Sequence, residues 1–298
     1  MNAIREQGRA AAAKKEEAAH ISRAWSIVRS LLLLGLMVLL FRSGGLQAAG
    51  ITWQELEPGL ELTKIKTSPE SAHEDLVMLR IDQDRYELSL LSASEQDSQR
   101  LTMHDWVHEH DLLAAINASM FWTDQRTSTG FMKNFEHINN TNIHPQYNAF
   151  LVFHPKSPEL PAVRMVDRIN TRDWEDILDN YHTVIQNYRM ISSRQDNVWE
   201  EKSKSFSVAA VGMTKNRDIL FIMSFVPRMI HELNELLLEL PVQLKMCMFV
   251  EGGSTAGMYV RAGGVDQGWH GTANNSLWSE RSMSFVRIPN VLGVVKRR

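Results

Sequence analysis

Residues 248–260 read MFVEGGSTAGMYV, and the order of side chains in this stretch is informative about both fold and chemistry. An apolar run typical of a buried β-strand ends at Glu251, two glycines and two hydroxyl side chains follow, and a second apolar run begins at Met258. A carboxylate at a strand end, beside glycines that permit close approach of a ligand, is placed like a binding or catalytic group. The spacing fits equally a tight turn in which Glu251 is solvated.

The segments around this stretch predict a sheet built mainly from hairpins. Residues 76–81 and 86–91 are β-prone and flank a short polar turn, and residues 206–213 and 219–225 repeat the arrangement. Residues 229–240 carry apolar side chains at i, i+3, i+4 and i+7, which predicts one clear helix. Because helices do not alternate regularly with strands, we expect an α+β fold: a single domain with a mixed, largely antiparallel sheet and a few packed helices.

The first fifty residues predict a leader that is separate from this domain. A charged, Ala-rich stretch precedes the apolar run SLLLLGLMVLLF at residues 30–41. Its 12 residues, at about 1.5 Å each, are too short for a bilayer core of roughly 30 Å but fit a signal peptide preceded by Arg23 and Arg29. The alternative is an uncleaved membrane anchor formed by residues 25–41. The predicted domains are therefore a signal peptide or anchor at 1–50 and a functional domain at 51–298.

The composition and the predicted leader indicate in which compartment the protein is located and which classes of partner it binds. A cleaved leader predicts export to the periplasm or the extracellular space, and the anchor would attach the chain to a membrane. The net charge of −3 and the lack of a Lys/Arg cluster interleaved with aromatic residues predict no nucleic-acid partner. The single cysteine, Cys247, lies in an apolar run and is predicted to be a buried, inert thiol.

Four segments occur in the order found in the phosphodiester glycosidase family. They are Ala115-Ile116-Asn117 followed by Phe121, the run QNYRMI at 186–191, Ala210-Val211-Gly212 with Asp218, and Glu251-Gly252-Gly253-Ser254. On these segments the chain resembles that family over residues 75–295, which is nearly the whole of the predicted functional domain. The resemblance implies hydrolysis of the glycosidic bond of a sugar-1-phosphodiester, with a carbohydrate or glycan phosphodiester as substrate and no cofactor.

The resemblance also implies roles for individual residues. Asn117 and Glu251 match the positions of the family's catalytic motifs, and Arg189 is the nearest candidate to hold a phosphate. The turn residues match the substrate-binding loop, where backbone amides can form an anion-binding nest: Gly252, Gly253, Ser254 and Thr255. The chain departs from the pattern in three places, with Glu251 in place of an aspartate, Ala118-Ser119 in place of glycines, and Val208 in place of an arginine.

The chemistry of the residues is consistent with such a reaction. Most glycosidases need two carboxyl groups, one of them to protonate a poor leaving group. A sugar-1-phosphodiester releases a phosphate monoester, which is a stable anion, so a single carboxylate at Glu251 can suffice. The rival prediction is a protein that binds a glycan on the same fold without turnover.

The spacing of the histidines does not indicate a metal site. His137 and His144 lie in a polar segment at residues 123–145, and neither HxH nor HExxH spacing occurs there. We expect this segment to line a pocket instead. His270, next to Trp269, is a second histidine that could lie beside a sugar.

Overall fold

The computed structural model describes residues 51–68, 73–97, 99–201, 204–272 and 286–297. Residues 50–298 form one compact unit. The leader predicted at 1–50 lies outside the described residues. In the described ranges, no helix combines the length and apolarity needed to cross a bilayer.

The described residues contain three α-helices and sixteen β-strands. The helices are α1 (Met103–Glu109), α2 (Trp174–Asp179) and α3 (Ile230–Glu239). The first strands are β1 (Gln54–Glu57), β2 (Leu60–Ile65), β3 (Leu76–Ile81), β4 (Tyr86–Ser92), β5 (Ala114–Asn117), β6 (Met132–Asn134), β7 (His137–Asn140), β8 (Ala149–Pro155) and β9 (Val163–Asp167). The others are β10 (Tyr181–Ile191), β11 (Phe206–Thr214), β12 (Ile219–Arg228), β13 (Leu244–Gly252), β14 (Gly257–Ala262), β15 (Val265–His270) and β16 (Asn290–Lys296).

The strands form two sheets. The larger has the order β1-β2-β3-β12-β11-β13-β10-β6-β7, with β8 paired to β10 and β9, and the smaller has the order β15-β14-β5-β16-β4. Within the described residues, these strands pair with one another only in the antiparallel sense. The predicted antiparallel character is confirmed, but the fold is richer in strand than a balanced α+β protein, with 48% strand and 11% helix. The single predicted sheet is replaced by two because β5 pairs with β14 and β16, which are distant in sequence.

The main core lies between the two sheets. Phe221 and Met248 of the larger sheet and Ile116 and Leu292 of the smaller sheet belong to one buried cluster. Side chains alternate between the two faces of a strand, so the neighbouring positions of β13 face away from this core. One of them is Cys247, which is fully buried, and burial raises the pKa of its thiol. The predicted buried cysteine is confirmed.

Helices cover the outer faces of both sheets. In α3 the buried Ile230, Leu233 and Leu237 pack on the outer face of the larger sheet, as the apolar spacing predicted. In α1 the buried Trp106 packs on the smaller sheet, and the Thr102 side chain accepts a hydrogen bond from the Asp105 amide, which caps the helix. The polypeptide is therefore layered as helix, small sheet, large sheet and helix.

Candidate active site

The strand that carries Glu251 lies inside the larger sheet, between β10 and β11. The register with β11 shifts at its end, so that Ala210 is opposite Phe249 whereas Ala209 is opposite Glu251. One additional residue, Val250, is thus inserted in β13 as a β-bulge, and bulges commonly redirect a side chain. Directly opposed residues share a face, so Glu251 lies on the inter-sheet face with Ala209 instead of on the helix-covered face with Phe249.

The Glu251 carboxyl is almost completely buried, with an exposed fraction of 7%. Burial disfavours the charged form and raises the pKa of Glu251 to about 7, although hydrogen bonds from the Gly252 amide and the Thr255 side chain act in the opposite direction. The Gly252 amide donates to Oε1 of Glu251 at 2.9 Å. The carboxyl can therefore gain or lose a proton near neutral pH, which suits acid–base chemistry.

A tight turn follows Glu251, and its two glycines are required for different reasons. Gly253 begins a 3-10 turn (Gly253–Thr255) and has a φ of +69°, which few residues other than glycine adopt. A Cβ on Gly252 would lie 2.8 Å from the ring of Phe206 and 2.9 Å from that of Phe249. The Thr255 hydroxyl donates to the Gly252 carbonyl at 3.1 Å and closes the turn.

This geometry modifies the predicted anion nest. The Gly252 amide already donates to the carboxylate of Glu251, so it is not available to a ligand in this state. Ser254 is the exposed residue of the turn. The predicted binding role of the turn stays a prediction for Gly253, Ser254 and Thr255.

Asn117 ends β5 in the smaller sheet and connects that sheet to the turn. Its Nδ2 donates to the Thr255 carbonyl at 3.0 Å, and its Oδ1 accepts from the Gly257 amide at 2.8 Å. The side chain is 1% exposed. The structure thus brings Asn117 and Glu251 to the same turn, and the contacts of Asn117 support a positioning role, while its predicted catalytic role stays a prediction.

A buried polar network extends from Asn117 along the chain. The Ser119 hydroxyl donates to Oδ1 of Asn187 at 2.9 Å, and Nδ2 of Asn187 donates to the Ala118 carbonyl at 2.9 Å. Oδ1 of Asn290 accepts from the Ser119 amide at 3.0 Å. Sequence reasoning assigned no role to Asn187 or Asn290, although a polar residue within a strand as apolar as β16 is a usable signal. Ala118 and Ser119 therefore take part in the hydrogen bonds that hold the end of β5 in place.

Arg189 makes an ion pair with Asp167. Its Nη1 lies 2.6 Å from Oδ1 of Asp167, and the two side chains are 14% and 0% exposed. Burial raises the pKa of Asp167, but hydrogen bonds from the Ser193 amide and Asn170, together with the Arg189 charge, outweigh it and leave the pKa below its ordinary value. The described contacts thus join Arg189 to Asp167 and not to Glu251, and its predicted phosphate contact stays a prediction.

The histidines are distributed around the site without forming a cluster of ligands. His137 is hydrogen-bonded to the Ser94 hydroxyl at 2.9 Å, and His144 stacks on Tyr147 with ring centroids 3.9 Å apart. His270 lies opposite Gly257, and burial lowers the pKa of its imidazole to about 4. Across the described part of the chain, no group of three His, Cys, Asp or Glu side chains is arranged to hold a metal ion.

The comparisons with known proteins agree with this arrangement. The model of the phosphodiester glycosidase (NAGPA) family matches residues 110–295, which include β5, β10 and the turn after Glu251. The chain belongs to this family. No curated protein sequence is significantly similar to the chain.

Two solved structures share the family fold at low sequence identity. A hypothetical protein from Synechocystis superimposes with a TM-score of 0.56 and 11% identity, over 84% of this chain and 64% of that one. The chain thus spans less than two thirds of that protein. The second structure is the zebrafish N-acetylglucosamine-1-phosphodiester alpha-N-acetylglucosaminidase catalytic domain, auto-inhibited by its pro-peptide. It superimposes with a TM-score of 0.55 and 15% identity, over 84% of this chain and 87% of that one.

The buried carboxyl should make folding stability depend on pH. The folded-state pKa of Glu251, about 7, lies above the ordinary value of 4.5, so the folded protein binds this proton more tightly than the unfolded chain. Glu251 therefore stabilises the folded state fully below pH 4.5, and this stabilisation is lost as the pH rises through 7. At about 1.4 kcal/mol per unit of pKa difference, the free energy of unfolding should fall by about 3 kcal/mol. In Glu251→Gln this loss is absent, so the variant should be more stable than the wild type above pH 8.

Urea unfolding of both proteins between pH 4 and 9 measures this difference. Glu232→Gln, at an exposed position of α3, is the matched control and should follow the wild-type curve. Parallel curves for wild type and Glu251→Gln would show that the carboxyl is hydrated.

Proposed function

We propose that this protein is an exported hydrolase that cleaves the glycosidic bond of a sugar-1-phosphodiester in an extracytoplasmic glycan. The observation that carries the proposal is the buried carboxyl of Glu251, which a β-bulge directs to the inter-sheet face beside a glycine turn, in a member of the phosphodiester glycosidase family. The name of the zebrafish relative specifies an N-acetylglucosamine-1-phosphodiester. We propose that this chain cleaves the same class of bond, and we do not assign the same sugar to it.

The proposed reaction uses Glu251 in its ionised form. Glu251 accepts a proton from water as the water oxygen bonds to the anomeric carbon, and the carboxylate stabilises the positive charge that develops there. The bond between the anomeric carbon and the phosphate oxygen breaks, and the phosphate monoester leaves with the bonding electrons. Because this leaving group is already a stable anion, the reaction needs no second carboxyl group to protonate it.

Export is proposed from the leader. The apolar run at 30–41 follows Arg23 and Arg29, as in a signal peptide, and residues 25–41 would form the anchor if it is not cleaved. A sugar-1-phosphodiester in a glycan outside the cytoplasm is the substrate that such a location would offer.

Dependence on the leaving group tests the proposed function. We expect the purified protein to turn over p-nitrophenyl sugar phosphodiesters far faster than p-nitrophenyl glycosides, because Glu251 provides no proton for a poor leaving group. Arg189→Lys should lower kcat/KM for the phosphodiester by about tenfold or more, since an ammonium cannot reproduce the two-point grip of a guanidinium on phosphate.

The controls separate a contact with phosphate from support of the fold. Arg261→Lys, in the exposed ion pair with Asp111, should leave both activities unchanged. Equal losses on both substrates in Arg189→Lys would show that Arg189 acts only through Asp167. Tight binding of phosphodiesters with no turnover would identify a glycan-binding protein and contradict the proposed hydrolase.

A further inference from the structure

A cavity with a volume of about 310 Å³ is lined by three arginines. They are Arg100, Arg126 and Arg287, and the lining also includes Ala93 and Asp124. These residues belong to three separate parts of the chain: the segment after β4, the loop after β5 and the segment before β16. The fold therefore brings together arginines that are far apart in sequence.

The cavity lies at the end of the smaller sheet that carries Asn117. Ser92 at the end of β4 is opposite Asn290 at the start of β16, and Asn117 at the end of β5 is opposite Val291. The segments that line the cavity extend from these three strand ends. Among the described residues that line it are neither Glu251 nor the turn that follows Glu251, so the cavity is distinct from the candidate active site.

Backbone carbonyls hold each of the three guanidinium groups in place. Nη1 of Arg100 donates to the Arg287 carbonyl at 3.1 Å, and Nη1 of Arg287 donates to the Arg100 carbonyl at 3.0 Å. Nη2 of Arg126 donates to the Ala93 carbonyl at 3.3 Å. A guanidinium has five N–H donors, so each arginine keeps donors for a ligand. Because the side chains are already oriented, binding costs less conformational entropy.

The positive charge around the cavity is only partly compensated. Within the described residues, neither Arg100 nor Arg287 forms an ion pair with a carboxylate. Arg126 pairs with Asp97 at 3.2 Å, but Asp97 is 99% exposed and contributes little in water. The oxygens of Asp124 accept hydrogen bonds from backbone amides and a hydroxyl of its own turn. An anion in the cavity would reduce the repulsion between the arginines.

The charge and the geometry of the lining indicate a phosphate group. Three arginines and one aspartate leave a net charge of +2, which a phosphate dianion neutralises and a single carboxylate does not. The planar guanidinium matches phosphate oxygens with two parallel hydrogen bonds. A volume of about 310 Å³ is at the lower end of the range for small-molecule sites, so a phosphate with a small organic substituent fits.

We propose that Arg100, Arg126 and Arg287 form a binding site for a phosphate group. The ligand is free phosphate or the phosphate end of a small monoester, since the same N–H donors bind both. The site is separate from Glu251, and the inference does not depend on hydrolysis at that residue.

Isothermal titration calorimetry of the purified protein at low ionic strength tests the site. The probes are inorganic phosphate, glycerol 3-phosphate and, as a single carboxylate, acetate. Arg126→Gln and Arg287→Gln should each weaken phosphate binding by about tenfold or more, because each removes one charged donor group. Arg287→Lys keeps the charge but loses the planar pair of donors, and it should weaken binding by about threefold or more. Acetate should bind at least about tenfold more weakly than phosphate.

Arg85→Gln is the matched control, because Arg85 is an arginine whose side chain is 62% exposed and pairs with Asp82 outside the cavity. It should leave every affinity unchanged. No binding of either phosphate probe to the parent, or unchanged affinity in both Arg126→Gln and Arg287→Gln, would overturn the site. If binding depends on these arginines, equal affinities of the two phosphate probes would show that monoesters are accepted. Much weaker binding of glycerol 3-phosphate would assign the site to free phosphate.

Discussion

Replacing Glu251 with glutamine is expected to lower kcat/KM for a sugar phosphodiester by about 100-fold or more. Glutamine keeps the oxygen that accepts from the Gly252 amide at 2.9 Å, so the turn should remain closed. It cannot accept a proton from water or carry the negative charge that stabilises the anomeric carbon. Steady-state kinetics on the purified protein would measure the loss, with circular dichroism to confirm the fold.

The pH profile provides the control for this variant. Because the proposed mechanism requires the carboxylate, wild-type kcat/KM should rise as pH increases through about 7, the pKa to which burial raises Glu251. A fall over the same interval would indicate that Glu251 acts as an acid. Near-normal turnover by Glu251→Gln would place the chemistry at another residue.

The second large effect is expected at Asp167. Asp167→Ala should reduce the free energy of unfolding by about 3–5 kcal/mol, because it leaves the buried Arg189 without its partner. The Asp167 carboxylate also accepts from the Ser193 amide at 2.9 Å and from Nδ2 of Asn170 at 2.7 Å, and both donors would lose their acceptor. Urea unfolding at pH 7 measures the change.

An exposed ion pair supplies the comparison for this variant. Asp111→Ala removes the partner of Arg261, and because Asp111 is 92% exposed the loss should be less than about 1 kcal/mol. If Asp167→Ala costs no more than this control, the Arg189 side chain has moved to solvent and the ion pair does not hold the end of β9.

The sequence predicts the regular parts of this fold well. Strands 76–81 and 219–225 have continuous apolar runs, and helix 229–240 has an uninterrupted apolar face, so each was located to within a few residues of its observed bounds. Short strands with polar side chains were missed, among them β7 (His137–Asn140) and β15 (Val265–His270), because their patterns resemble those of loops. The polar segment at 123–145, for which the sequence indicates no strand, contains the hairpin formed by β6 and β7.

The division of the strands into two sheets could not be predicted from the pattern of apolar residues. Alternation of apolar residues shows that a segment is a strand and says nothing about its partners. β4 follows β3 directly in the chain, yet it pairs with β16, more than 190 residues later. Such pairings are determined by the packing of the whole core.

The candidate site was predicted in part. The family resemblance brought Asn117 and Glu251 together, and the structure joins them through the Thr255 carbonyl, 138 residues after Asn117. The partner of Arg189 was not predicted, because Asp167 stands at the end of a strand that the sequence did not indicate.

Because Val250 is an additional residue in β13, the face to which the Glu251 carboxyl points depends on the number of residues in that strand. Deleting one residue of β13 before Glu251 would restore regular alternation and turn this side chain to the face covered by α3. A homologue could therefore keep an acidic residue before two glycines and still have no carboxyl at the catalytic position. Gaps within this strand in an alignment should thus separate working enzymes from inactive relatives more reliably than the acidic residue does.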